Sequence, residues 1–281
     1  VDAVRYFVLH EMPFENDGVI TWELMVERLN SELANTLGNL VNRTVSMSNK
    51  YFGGVVTNTG VEEDVDADLK ATVLGTLTKT TEKMDQLRVA DALTEIFALF
   101  KRCNKYIDET MPWALAKDPE KKDRLATVLY NLVESISYGA ALLESFMPTT
   151  SKKILAQLNA KPRTIDQMTE FGLYESGTRV TETPEILFAR LDVKEVLAKV
   201  EEHKAAQAAE AAQKENVIDI EAKEAVSYDD FAKLQFQVGE ILSCEAVPKA
   251  DKLLCSQVKI GSQVRQIVSG IRSTYSPEEM V

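Results

Sequence analysis

From Trp22 to Leu158 apolar residues recur at steps of three and four, and after residue 230 they recur at steps of two. A period near 3.6 buries one stripe of a helix, and a period of two buries one face of a strand. The chain is therefore predicted to be mainly α: an antiparallel helix bundle, then a helical or disordered linker, then a small β module. Its 281 residues, 45% of them hydrophobic, suffice for a sizeable core and more than one domain.

The bundle is expected over residues 20–160. Thr21 reads as a helix cap, and a helix from Trp22 to about Tyr51 carries Leu29, Leu33, Leu37, Leu40, Thr44 and Met47 on one stripe. Gly53 and Gly54 end it. Further helices are expected to about Met84, from about Gln86 to Glu109, from Asp118-Pro-Glu120 to Met147, and from Thr150 to Leu158. Short connections between them make the bundle antiparallel. Residues 1–19 are read as a connector. Within it, Val1–His10 forms a helix with Val4, Phe7 and Val8 on one side, and Pro13 and Asn16-Asp-Gly18 form turns. The chain opens without methionine and closes just after Ser276-Pro-Glu-Glu, a helix-start signal. Both ends look cut, so a fragment of a longer protein is expected.

Residues 161–192 lack long periodicity and read as an extended tail laid over the bundle, anchored by Ile186, Leu187 and Phe188. Residues 193–229 are rich in Ala, Glu and Lys and read as a linker. Residues 230–281 alternate as an incomplete barrel of the oligonucleotide/oligosaccharide-binding (OB) type. Leu234, Phe236 and Val238 lie in its first strand, interrupted by Gly239, and Gly261-Ser262 makes a hairpin turn.

Net charge is −12, a poor match to the basic face of a nucleic-acid binder. Half of that excess lies in residues 192–230, which hold eleven acids and five lysines, whereas residues 231–277 hold six basic residues and three acids. The objection to a polyanionic partner weakens accordingly. Cys103, Cys244 and Cys255 have no paired spacing, and only His10 and His203 accompany them, so no metal site is expected. Free thiols, with no run of ~18 apolar residues and no leader pattern, point to a cytoplasmic protein without a membrane partner.

Two features are candidates for binding. Pro112 forbids a continuing helix, because its ring clashes one turn back and it lacks an N–H, and Met111 before it is pushed from the helical region. Trp113 follows at once, either as a core plug or as a flat surface offered outward. Asn35, Asn39, Asn42 and Arg43 form a polar stripe on the first long helix, with Asn39 and Arg43 neighbours one turn apart. On spacing alone that stripe reads as a solvated face, but three asparagines are costlier in a helix than Lys or Glu would be, which keeps a recognition surface open.

Taken together, several motifs in order resemble the C-terminal part of bacterial methionyl-tRNA synthetases. They are Val1-Asp-Ala-Val-Arg-Tyr-Phe7, Asn35-Thr-Leu-Gly-Asn-Leu-Val-Asn-Arg43 with Asn49-Lys-Tyr-Phe52, and Asn104-Lys-Tyr-Ile-Asp-Glu-Thr-Met-Pro-Trp-Ala-Leu-Ala-Lys117. Pro184-Glu-Ile-Leu-Phe-Ala-Arg-Leu-Asp192 departs from the pattern at Ala189, where proline is usual. Asp230-Phe-Ala-Lys233, Val238-Gly239 and Ala250-Asp-Lys-Leu-Leu254 resemble the appended tRNA-binding barrel. The resemblance implies a helical anticodon-binding domain that holds the CAU anticodon of tRNA(Met). Trp113 would stack on the first anticodon base. Asn39 and Arg43 would read base edges, and Asn104, Asp108 and Pro112 would support the tryptophan and line the same pocket. Lys249, Lys252 and Arg265 would meet phosphates without sequence preference. The resemblance further implies a homodimer through the completed barrel and a catalytic domain, absent here, that joins methionine to tRNA using ATP. The adenylate-binding signatures His-Ile-Gly-His and Lys-Met-Ser-Lys-Ser do not occur in this chain. No catalytic residue and no cofactor is therefore expected within it, and alone it should not catalyse the ligase reaction. A free-standing tRNA-binding or synthetase-associated protein would share these domains.

Overall fold

The computed structural model describes residues 1–12, 17–214 and 225–281, in two compact units, Val1–Lys214 and Glu215–Val281. The turn residues Pro13 to Asn16 and linker residues 215–224 lie outside the described residues.

In the first unit, α1 (Asp2–Glu11) buries Tyr6 and Phe7, while Val4 and Val8 are exposed. The expected inward face is thus corrected by about one residue. Two rings bury more apolar area than two valines, and Tyr6 meets Phe97 with centroids 4.9 Å apart. The buried carboxylate of Asp2 also accepts the Thr150 N–H at 2.6 Å. These contacts make residues 2–11 a packed part of the bundle rather than a mere connector.

The first long helix has the expected extent and an unexpected interior. It comprises α2 (Trp22–Arg28), a π-helix (Leu29–Gly38) and α3 (Asn39–Phe52), and Thr21 caps it by accepting the Leu24 N–H. Leu33, Leu37, Leu40, Val41 and Val45 are buried along it. Gly53, at φ 57°, supplies the left-handed cap that ends it.

Next come α4 (Asp64–Asp85) and α5 (Val89–Thr110), packed as neighbours, and then α6 (Pro112–Leu115). A 3-10 turn (Pro119–Lys121), capped by Asp118, leads into α7 (Lys122–Leu143), which is followed by α8 (Pro148–Leu158). Helix α7 touches α3, α4, α5 and α8 and is buried on nearly every side. Its crossing with α5 needs Gly139, because a Cβ there would lie 2.5 Å from Phe100 Cε1.

Two buried carboxylates hold this body together. Asp66 on α4 accepts Arg124 Nη1 at 2.6 Å and Nη2 at 3.0 Å, the Tyr106 hydroxyl at 2.5 Å and the Glu63 N–H at 2.8 Å. Glu134 on α7 accepts both Arg163 terminal nitrogens and the N–H groups of Gly172, Leu173 and Tyr174. It thereby folds residues 161–180 back onto the bundle, where β1 (Val55–Val56) pairs antiparallel with β2 (Thr178–Arg179). Of the expected anchors, Leu187 and Phe188 pack on the core, but Ile186 is 71% exposed. Alternation in an extended tail turns every second side chain outward. After Asp192 the chain forms α9 (Val193–Lys214), so the helical form of the linker is the one adopted there, and α9 packs against α2.

The second unit begins with α10 (Tyr228–Phe231), capped by Ser227. Strands β3 (Glu240–Ala246), β4 (Leu254–Ile260) and β5 (Gln263–Ser269) form an antiparallel sheet in the order β3-β4-β5, with a bulge between Ile241 and Ser243. Gly261, at φ 59°, turns the β4–β5 hairpin. The expected strand through Leu234, Phe236 and Val238 is absent, since pairing starts only at Glu240, and Val238 is 99% exposed. Alternation alone does not make a strand without a partner to hydrogen-bond it. Among the described residues the sheet has three strands and is not closed into a barrel.

Burial alone would raise the Asp66 pKa. The hydrogen bonds from Arg124, Tyr106 and the Glu63 backbone more than reverse this and hold it below the ordinary carboxylate value. A folded pKa below the unfolded one stabilises the protein above about pH 4, and that stabilisation disappears as pH falls through the folded value. Asp66→Ala leaves Arg124 buried without its partner and is expected to cost about 3–5 kcal/mol in urea unfolding at neutral pH. A loss below 1 kcal/mol would show that the pair is dispensable.

Candidate nucleic-acid interface

Asn39 is the first residue of α3 and exposed, and Arg43, one turn on, is half-buried. Across from them, α5 carries Asn104 and Asp108. The Arg43 guanidinium lies 3.9 Å from the Asp108 carboxylate, whose side chain is 70% exposed. An ion pair this long and wet is worth no more than about 1 kcal/mol. It tethers Arg43 only loosely. Asn104 behaves differently. Its Nδ2 donates to the carbonyls of Thr36 at 3.0 Å and Phe100 at 3.1 Å, tying α5 to the π-helix just before Asn39.

The break after α5 forms as the sequence requires. Met111 adopts the left-handed region at φ 45°, ψ 64°, and its N–H still reaches Ile107 O at 3.0 Å. Pro112 is buried at the first position of α6, where its missing N–H costs nothing. Trp113 follows with 43% of its surface exposed. The plug reading is thereby excluded, since a core tryptophan would be covered. The structure therefore gathers Asn39, Arg43, Asn104 and Asp108 at the α3–α5 contact. Pro112 and Trp113 follow directly on the C-terminal end of α5, and no hydrogen bond or ring stack joins the indole to the other four among the described residues.

Sequence reasoning missed a cleft of about 140 Å³ beside α6, lined by Tyr51, Phe52, Leu115, Pro119 and Lys122. Lys122 Nζ stands 6.0 Å from the Phe52 ring centroid. No spacing rule links positions 52 and 122, so no sequence signal could have found it. In the second unit, Lys249 (φ 67°) and Lys252 are exposed in the β3–β4 turn, and Arg265 lies on β5. Arg272, unremarked in the sequence, braces that turn by donating to Ala250 O at 3.0 Å. Among the described residues no three His, Cys, Asp or Glu side chains converge to hold a metal, and no helix is long and apolar enough to cross a membrane.

The family model for the anticodon binding domain of methionyl tRNA ligase matches residues 56–209, more than half of the chain. The chain belongs to this methionyl-tRNA ligase family. A model for a putative tRNA binding domain matches residues 236–281, and one for class I tRNA synthetases (M) matches residues 1–45. The methionine–tRNA ligase of Caldanaerobacter subterraneus is 46% identical over the whole chain, and that of Clostridium perfringens is 44% identical, also over the whole chain. This chain spans 43% of the length of each. Among solved structures, the apo methionyl-tRNA synthetase of Mycobacterium tuberculosis superposes with TM-score 0.64 at 36% identity, covering 68% of this chain and 39% of that one. The synthetase resemblance in the sequence is therefore a family relationship, and the mainly α bundle followed by a β module is the fold that goes with it.

The loose Arg43–Asp108 pair yields a direct expectation for this family member. Asp108→Ala should change unfolding stability by no more than about 1 kcal/mol, measured by urea titration. A loss of several kcal/mol would assign Asp108 a structural role instead.

Proposed function

We infer that this chain is the tRNA-recognition part of a methionine–tRNA ligase, and that its first unit holds the CAU anticodon of tRNA(Met). The observation that carries this reading is the half-exposed Trp113, presented by the Pro112-enforced turn at the end of α5, the helix whose Asn104 and Asp108 meet Thr36 and Arg43. Single-stranded loops are recognised by splaying bases out, stacking them on aromatic planes and bonding their edges. Trp113 supplies the plane for the first anticodon base. Arg43 supplies paired donors, and Asn39 supplies both a donor and an acceptor. Pro112 fixes the indole's direction, Asp108 keeps Arg43 in reach, and Asn104 holds the backbone that presents Asn39.

In the second unit Lys249, Lys252 and Arg265 contact phosphates without reading sequence. Methionine and ATP are assigned to the parent enzyme's catalytic part, whose His-Ile-Gly-His and Lys-Met-Ser-Lys-Ser signatures are not among these residues. The parent enzyme is cytoplasmic and dimerises through its completed β domain.

The test is equilibrium binding of anticodon stem–loops carrying CAU or substituted anticodons. Stacking on an aromatic side chain contributes about 1–3 kcal/mol per base, so Trp113→Ala should weaken CAU binding by roughly five- to 150-fold. The loss should largely vanish for anticodons not starting with C. An equal loss across all anticodons would sink the assignment.

A further inference from the structure

The recognition pair is set on a helix that changes register immediately before it. Between Leu29 and Gly38 the backbone is π-helical, and the Asn39 N–H donates to Ala34 O, five residues back rather than four. The Thr36 hydroxyl likewise bonds Ser31 O at 3.0 Å, again a five-residue step. π turns are rare and concentrate at functional sites. One residue more than α winding requires re-aims everything downstream by ~100° about the axis. The direction in which Asn39 and Arg43 point is therefore a property of this stretch.

Three contacts from other elements hold the register. At its start, the Asn30 side chain makes reciprocal 2.8 Å hydrogen bonds with the N–H and carbonyl of Leu191. In its middle, Glu32 accepts Lys101 Nζ at 2.9 Å. Near its end, Asn104 donates to Thr36 O while also donating to Phe100 O. Both donor directions of the Asn104 amide are thus taken by backbone, which leaves only its oxygen for a ligand.

We propose that the π-helical stretch sets the aim of Asn39 and Arg43, and that Asn104 is a positioning residue which fixes this register through Thr36 rather than reading a base itself. This deepens the anticodon reading above and rests on it. Removing the amide lets the stretch relax toward α winding and swings the reading pair away. Affinity for the phosphate backbone stays, because no charge is altered, and the ability to tell anticodons apart falls.

Two measurements on the full chain decide the matter: discrimination between CAU and substituted stem–loops, with its salt dependence, and amide exchange without RNA. Asn104→Ala should cost roughly three- to tenfold in discrimination, the worth of a lost hydrogen bond. In a variant already carrying Asn39→Ala and Arg43→Ala it should add nothing, whereas a further loss there would make Asn104 an independent base contact. Without RNA, Asn104→Ala should also speed amide exchange at residues 35–39, and unchanged exchange there would refute the register role. If wild type fails to separate anticodons at all, the reading itself falls and takes the role of Asn104 with it. The RNA-free exchange still shows whether Asn104 holds the helix.

Discussion

A carboxylate with no solvent exposure, Asp66, fixes the frame on which the rest of the first unit is hung. It joins α4 to α7 through Arg124 and to α5 through Tyr106, and Asn131 completes the set by donating to the Tyr106 oxygen at 3.2 Å. Burying two charges carries a desolvation cost that only near-complete hydrogen bonding offsets, and here both Asp66 oxygens accept two donors each. An apolar cluster of the same volume could slide, whereas this one has a single geometry. That matters because Tyr106 lies between Asn104 and Asp108 on α5. Locking the inward face of that turn fixes the outward face that meets Arg43 and Thr36.

The helical body was legible from period alone. The stripes at Leu33, Leu37 and Leu40, and at Leu93, Ile96 and Phe100, are buried as their spacing requires. The Pro112 break was legible because proline chemistry is local. What could not be read depends on partners distant in sequence. Asp66 sits in an acidic run that looks like an ordinary helix start, and nothing nearby announces Arg124 fifty-eight positions on. Glu134 lies in an apolar helix, where its role depends on three N–H groups from a loop about forty residues later. The same limit explains the error at Leu234–Val238, where alternation was present and a strand to pair with was not.

The candidate site divides along the same line. Which residues belong to it came from motifs whose family relationship the comparisons bear out. How they are presented did not, because both α and π turns place apolar residues at similar spacing over ten positions. No composition rule separates an exposed asparagine from one that holds a carbonyl. Asn39 and Asn104 have the same side chain and are distinguished only by what surrounds them: one is exposed at a helix start, and the other has both donors committed to backbone.

The turn at Met111 shows why such a site sits on a rigid scaffold rather than a mobile loop. A non-glycine residue in the left-handed region costs about 1–2 kcal/mol, and Met111 adopts it with its side chain half in solvent. Local preference would relax that strain. The neighbours forbid it: Tyr106, Ile107 and Thr110 are buried before the turn, and Pro112 is buried after it. Packing on both sides therefore leaves one path for the chain, and that path carries Trp113 outward. Backbone freedom at this turn is thus lost on folding, before any ligand could meet the indole. The strain at Met111 belongs to the folded state and is held there by the packing on both sides of it.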